Sequence, residues 1–383
     1  MKIVYIIKSF AMKAGTERVM SDKMNWLAEH GYEVTMVTYE QGDNPLAFAL
    51  HSSIRHIDLG TCFYRLGRKT LLKRVPAFLT MRKEFRSRLQ AMIDEIGPDI
   101  IISTTYSMKV MDIILSAKTS ARQLIESHVA CYTIKKSYDY RNNPVMKLIA
   151  SAYDKWMIGR VAKAEQLVAL TNGDANDWLT YTPHVVVIPN PVTVYPKSIL
   201  PHDGSGHRIL CVGRLEEQKG FDMLIEAFAM IANECNDWFI DIYGDGSDKA
   251  MLTDMIRQNN LVGRINIKSP VATIFDEYQR SEFFVLSSRF EGFSLVLSEA
   301  MSCGIPCVAF RCKYGPEDLI KHMETGLLVD NGNVKDLADK ILWMINHKEE
   351  RLQMGQKARQ AATRFDKETI MQKWHNLFSR HTV

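Results

Sequence analysis

No long apolar run occurs in this sequence, whereas a bilayer-spanning helix needs about 20 predominantly apolar residues. A membrane-spanning helix is therefore not expected, and any membrane contact would be peripheral. The seven cysteines stand singly, without the paired spacings of a zinc ribbon or a Cys-x-x-Cys redox site. That pattern argues for reduced thiols and a cytoplasmic location. No Gly-x4-Gly-Lys-Ser/Thr sequence is present, nor a Gly-x-Gly-x-x-Gly after the first apolar run, which disfavours P-loop kinases and classical dehydrogenases. The net charge of +4 is too small to imply nucleic acid, and no recognition motif for it is seen. The opening run from Lys2 to Ile7 is too short for a signal peptide, and no small-residue cleavage site follows; it reads as a first buried strand.

A chain of 383 residues with 46% hydrophobic content can bury two cores, since single domains commonly run to about 100–200 residues. Short β-branched runs alternate with helical patterns in both halves, the pattern of parallel sheets covered by helices. Strands are expected at Lys2–Ile7, Glu33–Thr38, Ile54–Ile57, Asp99–Ser103, Gln123–Glu126 and Gln166–Ala169, and again at His207–Val212, Trp238–Tyr243, Ile265–Ile267, Phe283–Leu286 and Pro306–Phe310. Between the halves, Val185–Val192 is a strand running into a proline-punctuated connector, followed by a polar stretch through Gly206. The expected domains are therefore 1–192 and 193–365, followed by a last segment, 366–383.

The most informative segment is Phe290-Glu291-Gly292-Phe293-Ser294-Leu295-Val296-Leu297-Ser298-Glu299. Eight helical positions turn through roughly 800°, so two glutamates that far apart would not share a helix face. Glu291 reads as a loop residue and Gly292, Phe293 and Ser294 as a turn. A helix is expected from Ser294, near its N-cap, to Cys303, with Gly304-Ile305-Pro306 as the stop. The free amides and positive dipole end of such a helix favour a phosphate, and Glu299, two turns along, is placed to accept from ribose hydroxyls. The bland alternative for an isolated pair of this kind is two solvated glutamates.

This segment resembles the Glu-x7-Glu signature of the family-4 glycosyltransferases, and further motifs extend the resemblance over nearly the whole chain. The fold it implies is α/β of the GT-B type, two Rossmann-like domains facing across a cleft, with the last helix crossing back to the first domain. Asp366–Ser379, with Trp374, Leu377 and Phe378 on one stripe, is placed for that role. The family's Gly-Arg…Lys-Gly arrangement is matched by Gly213-Arg214 and Lys219-Gly220. Two cations there suit a diphosphate leaving group, Arg214 as a bidentate fork and Lys219 as a point charge. Ala14-Gly15 stands where the family usually has two glycines, which keeps close backbone approach at Gly15 and puts it in doubt at Ala14. The family commonly has a histidine after a first-domain strand, facing the donor sugar, and His128 in Glu126-Ser127-His128 matches it. A lone histidine is otherwise more often structural, but the resemblance implies that His128 lines the active site and holds a sugar hydroxyl or the acceptor, without having to act as a general base. Gly244 in Tyr243-Gly244-Asp245-Gly246 and Val271 after Ser269-Pro270 follow second-domain strands, and the resemblance puts Val271 near the nucleotide base.

The resemblance implies retention of configuration by front-face displacement, with the leaving phosphate taking the acceptor proton. Glu291 would orient sugar hydroxyls, while Arg214, Lys219 and the amides around Gly292, Phe293, Ser294 and Leu295 would hold the diphosphate. No Asp-x-Asp occurs in the chain, so no metal is expected and no cofactor is invoked. The expected activity is transfer of a hexose or N-acetylhexosamine from a nucleotide-sugar to a saccharide or lipid-linked saccharide in cell-surface polysaccharide synthesis, with UDP favoured over GDP. A UDP-sugar epimerase of GT-B fold and a non-catalytic nucleotide-sugar-binding protein are the alternatives. Between Arg65 and Arg88 nine cations stand against the single acid Glu84, interleaved with Leu66, Leu71, Leu72, Val75, Phe78, Leu79 and Phe85. Such a stretch suits peripheral contact with anionic lipid at the inner face of the cytoplasmic membrane, or else an ordinary solvated helix face.

Overall fold

The computed structural model describes the chain apart from residues 69–70, 137–143, 193–194, 197, 200–203, 272 and 380–383. It separates into two compact units, Met1–Pro189 with Met371–Val383, and Asn190–Ile370. Part of the polar connector expected through Gly206 lies outside the described residues.

The first unit holds a seven-stranded sheet of β1 (Lys2–Ile7), β2 (Glu33–Thr38), β3 (Arg55–Asp58), β4 (Ile100–Thr104), β5 (Arg122–Glu126), β6 (Gln166–Ala169) and β7 (Val185–Val187), in the order β3-β2-β1-β4-β5-β6-β7. Every pairing in it is parallel, with Ile3 registered against Val34 on one side and Ile100 on the other. Helices on both faces require strands apolar on both faces, and the run Ile3-Val4-Tyr5-Ile6 is buried throughout. The last helix, Lys367–Ser379, buries Trp374, Leu377 and Phe378. Arg122 donates to the carbonyls of Leu377 and Phe378 at 3.1 Å, tying that end of the helix to the start of β5.

In the second unit β8 (Arg208–Val212), β9 (Phe239–Tyr243), β10 (Ile265–Lys268), β11 (Phe283–Leu286), β12 (Cys307–Phe310) and β13 (Gly326–Val329) are ordered β10-β9-β8-β11-β12-β13, again all parallel. The helix Phe221–Ile231 covers this sheet with Phe221, Leu224, Ile225, Phe228 and Ile231, a stripe at 3.6-residue spacing. Phe228 is fully buried, and its truncation to alanine would cost about 3–5 kcal/mol. In each sheet the connections reverse direction beside the first strand, between β1 and β4 and between β8 and β11. Loops leaving the carboxyl ends of strands at such a point are where open α/β sheets bind ligands.

Candidate functional site

In the second unit that reversal brings Lys219 to Glu291. Lys219 arrives from the loop after β8 through a short 3-10 turn, Glu217–Lys219, that ends on Gly220 at φ +62°. A Cβ on Gly220 would lie 2.1 Å from the Ser287 carbonyl oxygen, so a glycine is what lets the two loops touch. Glu291 arrives from the loop after β11. Its N–H donates to the Lys313 carbonyl and its own carbonyl accepts from the Tyr314 N–H, both at 2.9 Å. The Lys219 ammonium and the Ser288 hydroxyl each donate to Glu291 Oε1 at 2.7 Å. The two side chains are 14% and 7% exposed, and among the described residues nothing donates to Glu291 Oε2. The result is a fixed carboxylate edge beside a cation that keeps further N–H donors for a ligand.

Beyond Gly292 and Phe293 the helix Leu295–Ser302 begins. Ser294 is its N-cap residue, but at φ 63° it is left-handed, and its buried hydroxyl caps nothing and has no partner among the described residues. This corrects the expected cap: capping needs an extended N-cap residue, and here the chain turns the hydroxyl away. No acceptor is placed against the amides of Ser294, Leu295 and Val296 among the described residues, so the helix mouth keeps the free donors that suit an anion. Glu299 is half-buried and already accepts from the buried Tyr278 hydroxyl at 3.2 Å.

Arg214 stands apart from this group. Its side chain is 61% exposed and pairs with Glu216 at 2.9 Å and Gln218 at 3.1 Å, so the structure does not place the two cations on a shared anion. Gly213 and Gly244 have a packing reason: a Cβ on Gly244 would lie 1.9 Å from the Gly213 carbonyl oxygen, and one on Gly213 would press on the Lys219 stem. Val271 is exposed in the loop after β10.

In the first unit, β5 ends on Glu126, whose carboxylate is fully enclosed. Oε2 accepts from Lys23 Nζ at 2.6 Å and meets His128 Nε2 at 2.9 Å. Burial by itself pushes the Glu126 pKa up, but Lys23 and His128 outweigh it and hold the group down at about 2. The loop carrying His128 is pinned on both sides by Asp174, which accepts from Ser127 Oγ at 2.6 Å and from the Cys131 amide at 2.7 Å. Burial raises Asp174 to about 6. Tyr106 lies parallel to the His128 ring at 6.4 Å. Gly15, exposed, opens the helix Gly15–Glu29 after β1. A cavity of about 190 Å³ at this carboxyl edge is lined by Lys8, Glu40, Tyr106 and Val129, which follow four different strands, and by Tyr153 and Asp154. Sequence reasoning named neither Lys23, Ser288 nor the cavity. Lys23 stands 103 residues from Glu126, and no local spacing announces such a pair.

The basic stretch divides between two duties. In the helix Leu71–Ile96, Phe85 is buried, Phe78 packs edge-on against Phe63, Arg82 pairs with Asp112, and Arg88 donates to the Leu59 carbonyl. Those residues serve the core of the first unit, which corrects the reading of the whole stretch as a surface. Val75 and Leu79 are exposed alongside Lys73, Arg74, Lys83 and Arg86. Lys69 and the side chains of Arg68, Leu71 and Leu72 lie outside the described residues. No described helix is long and apolar enough to cross a membrane.

Residues 14–194 match the family model described as Glycosyltransferase Family 4, and residues 197–361 the model described as Glycosyl transferases group 1. The chain belongs to the family-4 glycosyltransferases. An uncharacterized glycosyltransferase of Haemophilus influenzae is 25% identical to this enzyme over 378 residues, covering 98% of this chain and 99% of that one. The amylovoran biosynthesis glycosyltransferase AmsD of Erwinia amylovora is 26% identical over 392 residues, 99% of each chain. Among solved structures, a mutant of S. aureus TarM in complex with fondaparinux, alpha-GlcNAc-glycerol and UDP superposes with a TM-score of 0.77 at 17% identity, over 99% of this chain and 100% of that one. The enzyme thus has the GT-B fold, with two Rossmann-like sheets.

Proposed function

We propose that this enzyme moves a hexose or N-acetylhexosamine from a UDP-sugar to a saccharide or lipid-linked saccharide, with retention of configuration, in the synthesis of a cell-surface polysaccharide. The observation that carries this reading is the Lys219–Glu291 pair at 2.7 Å, set where the second sheet reverses and beside an uncapped helix mouth. Glu291 Oε2 accepts from a sugar hydroxyl near the anomeric carbon. Lys219 and the amides of Ser294 and Leu295 take the diphosphate, whose charge grows as the anomeric C–O bond breaks. Gly213, Gly292 and Phe293 shape the loops that bring those groups to it, and Arg214 is recruited from its solvent-exposed pair, an exchange that costs little at a surface. Glu299 holds the ribose, with Val271 toward the base and Gly244 behind the loops. The acceptor hydroxyl bonds to the anomeric carbon on the face the phosphate leaves, and its proton passes to a phosphate oxygen.

The acceptor belongs to the first unit, at the cavity beside Tyr106, with His128 and Gly15 at the same sheet edge. UDP as the nucleotide is supported by the UDP complex of the structural neighbour TarM, and polysaccharide synthesis by the role in AmsD's name. A lipid-linked acceptor suits the exposed face of Lys73, Val75, Leu79, Lys83 and Arg86, and low-salt flotation with anionic liposomes tests it: protein left in solution removes membrane contact from the reading. The decisive measurement is a thermal-shift screen against UDP, GDP, ADP and their sugar conjugates, because a ligand bound only by the folded state raises its stability. Stabilisation by UDP and UDP-sugars is expected; no response to any nucleotide overturns the donor site.

A further inference from the structure

We infer that Lys23 and Glu126 are positioning residues that fix the His128 imidazole with its proton on Nε2, leaving the Nδ1 lone pair to accept from a saccharide hydroxyl. The last clause rests on the function proposed above; the first stands on geometry alone. Glu126 is an acceptor-only carboxylate 2.9 Å from Nε2, so in the neutral imidazole Nε2 must carry the hydrogen and Nδ1 is left an acceptor. Nδ1 has no partner among the described residues, and the side chain is 2% exposed. A carboxylate behind a histidine is the arrangement that holds a ring in one tautomer and one orientation.

The support extends beyond the carboxylate. Lys23 is 1% exposed, and its ammonium lies between Glu126 at 2.6 Å and the Trp374 ring, 3.9 Å from the ring centroid. Burial lowers the Lys23 pKa, and the carboxylate opposes that fall; the indole face adds a cation–π contact. Trp374 sits on the last helix, so that helix roofs the lysine that neutralises the carboxylate that orients His128. The other titratable groups facing this cluster are Glu17 on the helix Gly15–Glu29, which acts on His128 through its charge, and the buried Tyr5 on β1, whose hydroxyl has no partner among the described residues. Neither forms a hydrogen bond with the imidazole, so among the described residues Glu126 alone sets the tautomer.

Nitrogen-15 NMR of protein labelled at histidine reads the tautomer directly, with the His128 signals assigned by their loss in His128→Asn. The wild type is expected to show the Nε2–H form, and Glu126→Gln a mixture of both forms, because an amide can present either its oxygen or its NH2. An Nδ1–H form in the wild type, or an unchanged single tautomer in Glu126→Gln, overturns the inference. Since Glu126→Gln strands a buried ammonium, the neutral pair Lys23→Met/Glu126→Gln is measured beside it and keeps the test readable if the single variant misfolds. Donor turnover is followed with UDP-glucose and UDP-N-acetylglucosamine. The kcat of the variants should fall about tenfold to a hundredfold, the span of a lost charge-assisted hydrogen bond, with donor KM within about twofold. Unchanged kcat in a folded variant with altered tautomer overturns the positioning role. Failure of the donor reading appears separately, as a wild type that UDP does not stabilise, and the tautomer then still decides the geometric clause.

Discussion

The two units each place a lysine against a glutamate at the carboxyl edge of a sheet, at 2.6 Å for Lys23–Glu126 and 2.7 Å for Lys219–Glu291, yet the pairs differ in what surrounds them. The first pair is 1% and 0% exposed; the second is 14% and 7% exposed. A sealed ion pair cannot exchange partners, because removing either member leaves a bare charge in a medium that solvates it poorly. An open pair can share its cation with an incoming anion. The same two residue types thus give a fixed support in one unit and a ligand-ready edge in the other, and accessibility makes the difference.

The largest test is Lys23→Ala, which strands the Glu126 carboxylate and should cost about 3–5 kcal/mol in urea unfolding. A loss near zero would show that water reaches the pair. Lys219→Ala should shift the balance toward function, with about 2–4 kcal/mol lost from transition-state stabilisation, read as kcat/KM, and a loss of stability smaller than that of Lys23→Ala because the pair is more open to water. Acid unfolding separates the pairs further. Because Glu126 is held at about 2, below its ordinary 4.5, the unfolded chain takes up this proton first. Its stabilisation is present above about pH 4.5 and lost as the pH falls toward 2, so Lys23→Met/Glu126→Gln should flatten that limb of the stability curve. The smallest effect belongs to Arg214→Ala: its exposed pair predicts a stability change within about 1 kcal/mol, while turnover falls. Turnover equal to wild type would leave the diphosphate to Lys219 and the helix mouth.

What could be read from the residues was what is local. The Glu291–Glu299 spacing, the loop after β8 and the alternation of strands and helices all lie within short windows, and the strands they predicted are found with ends shifted by about one residue. β13 was missed because Gly326-Leu327-Leu328-Val329 holds one β-branched residue beside a glycine and two leucines, a composition that does not favour a strand. The left-handed Ser294 was missed because serine at a helix start ordinarily caps from an extended conformation. Phe78, Phe85 and Arg82 were read as surface because a basic composition hides which face of a helix meets the core. The Lys23–Glu126 pair was unreadable in principle, since topology alone brings a helix after β1 to the end of β5.

All seven cysteines are buried, and burial raises the thiols of Cys211, Cys235, Cys307 and Cys312 and pushes Cys303 up to about 12. Thiolate is the reactive form, so the folded enzyme offers electrophiles little to attack. It is in effect a cysteine-free surface without having been made one. A single cysteine introduced at an exposed position would carry a dye or spin label at one defined place, and distances between two such labels would follow the enzyme through its catalytic cycle without any native thiol having to be removed.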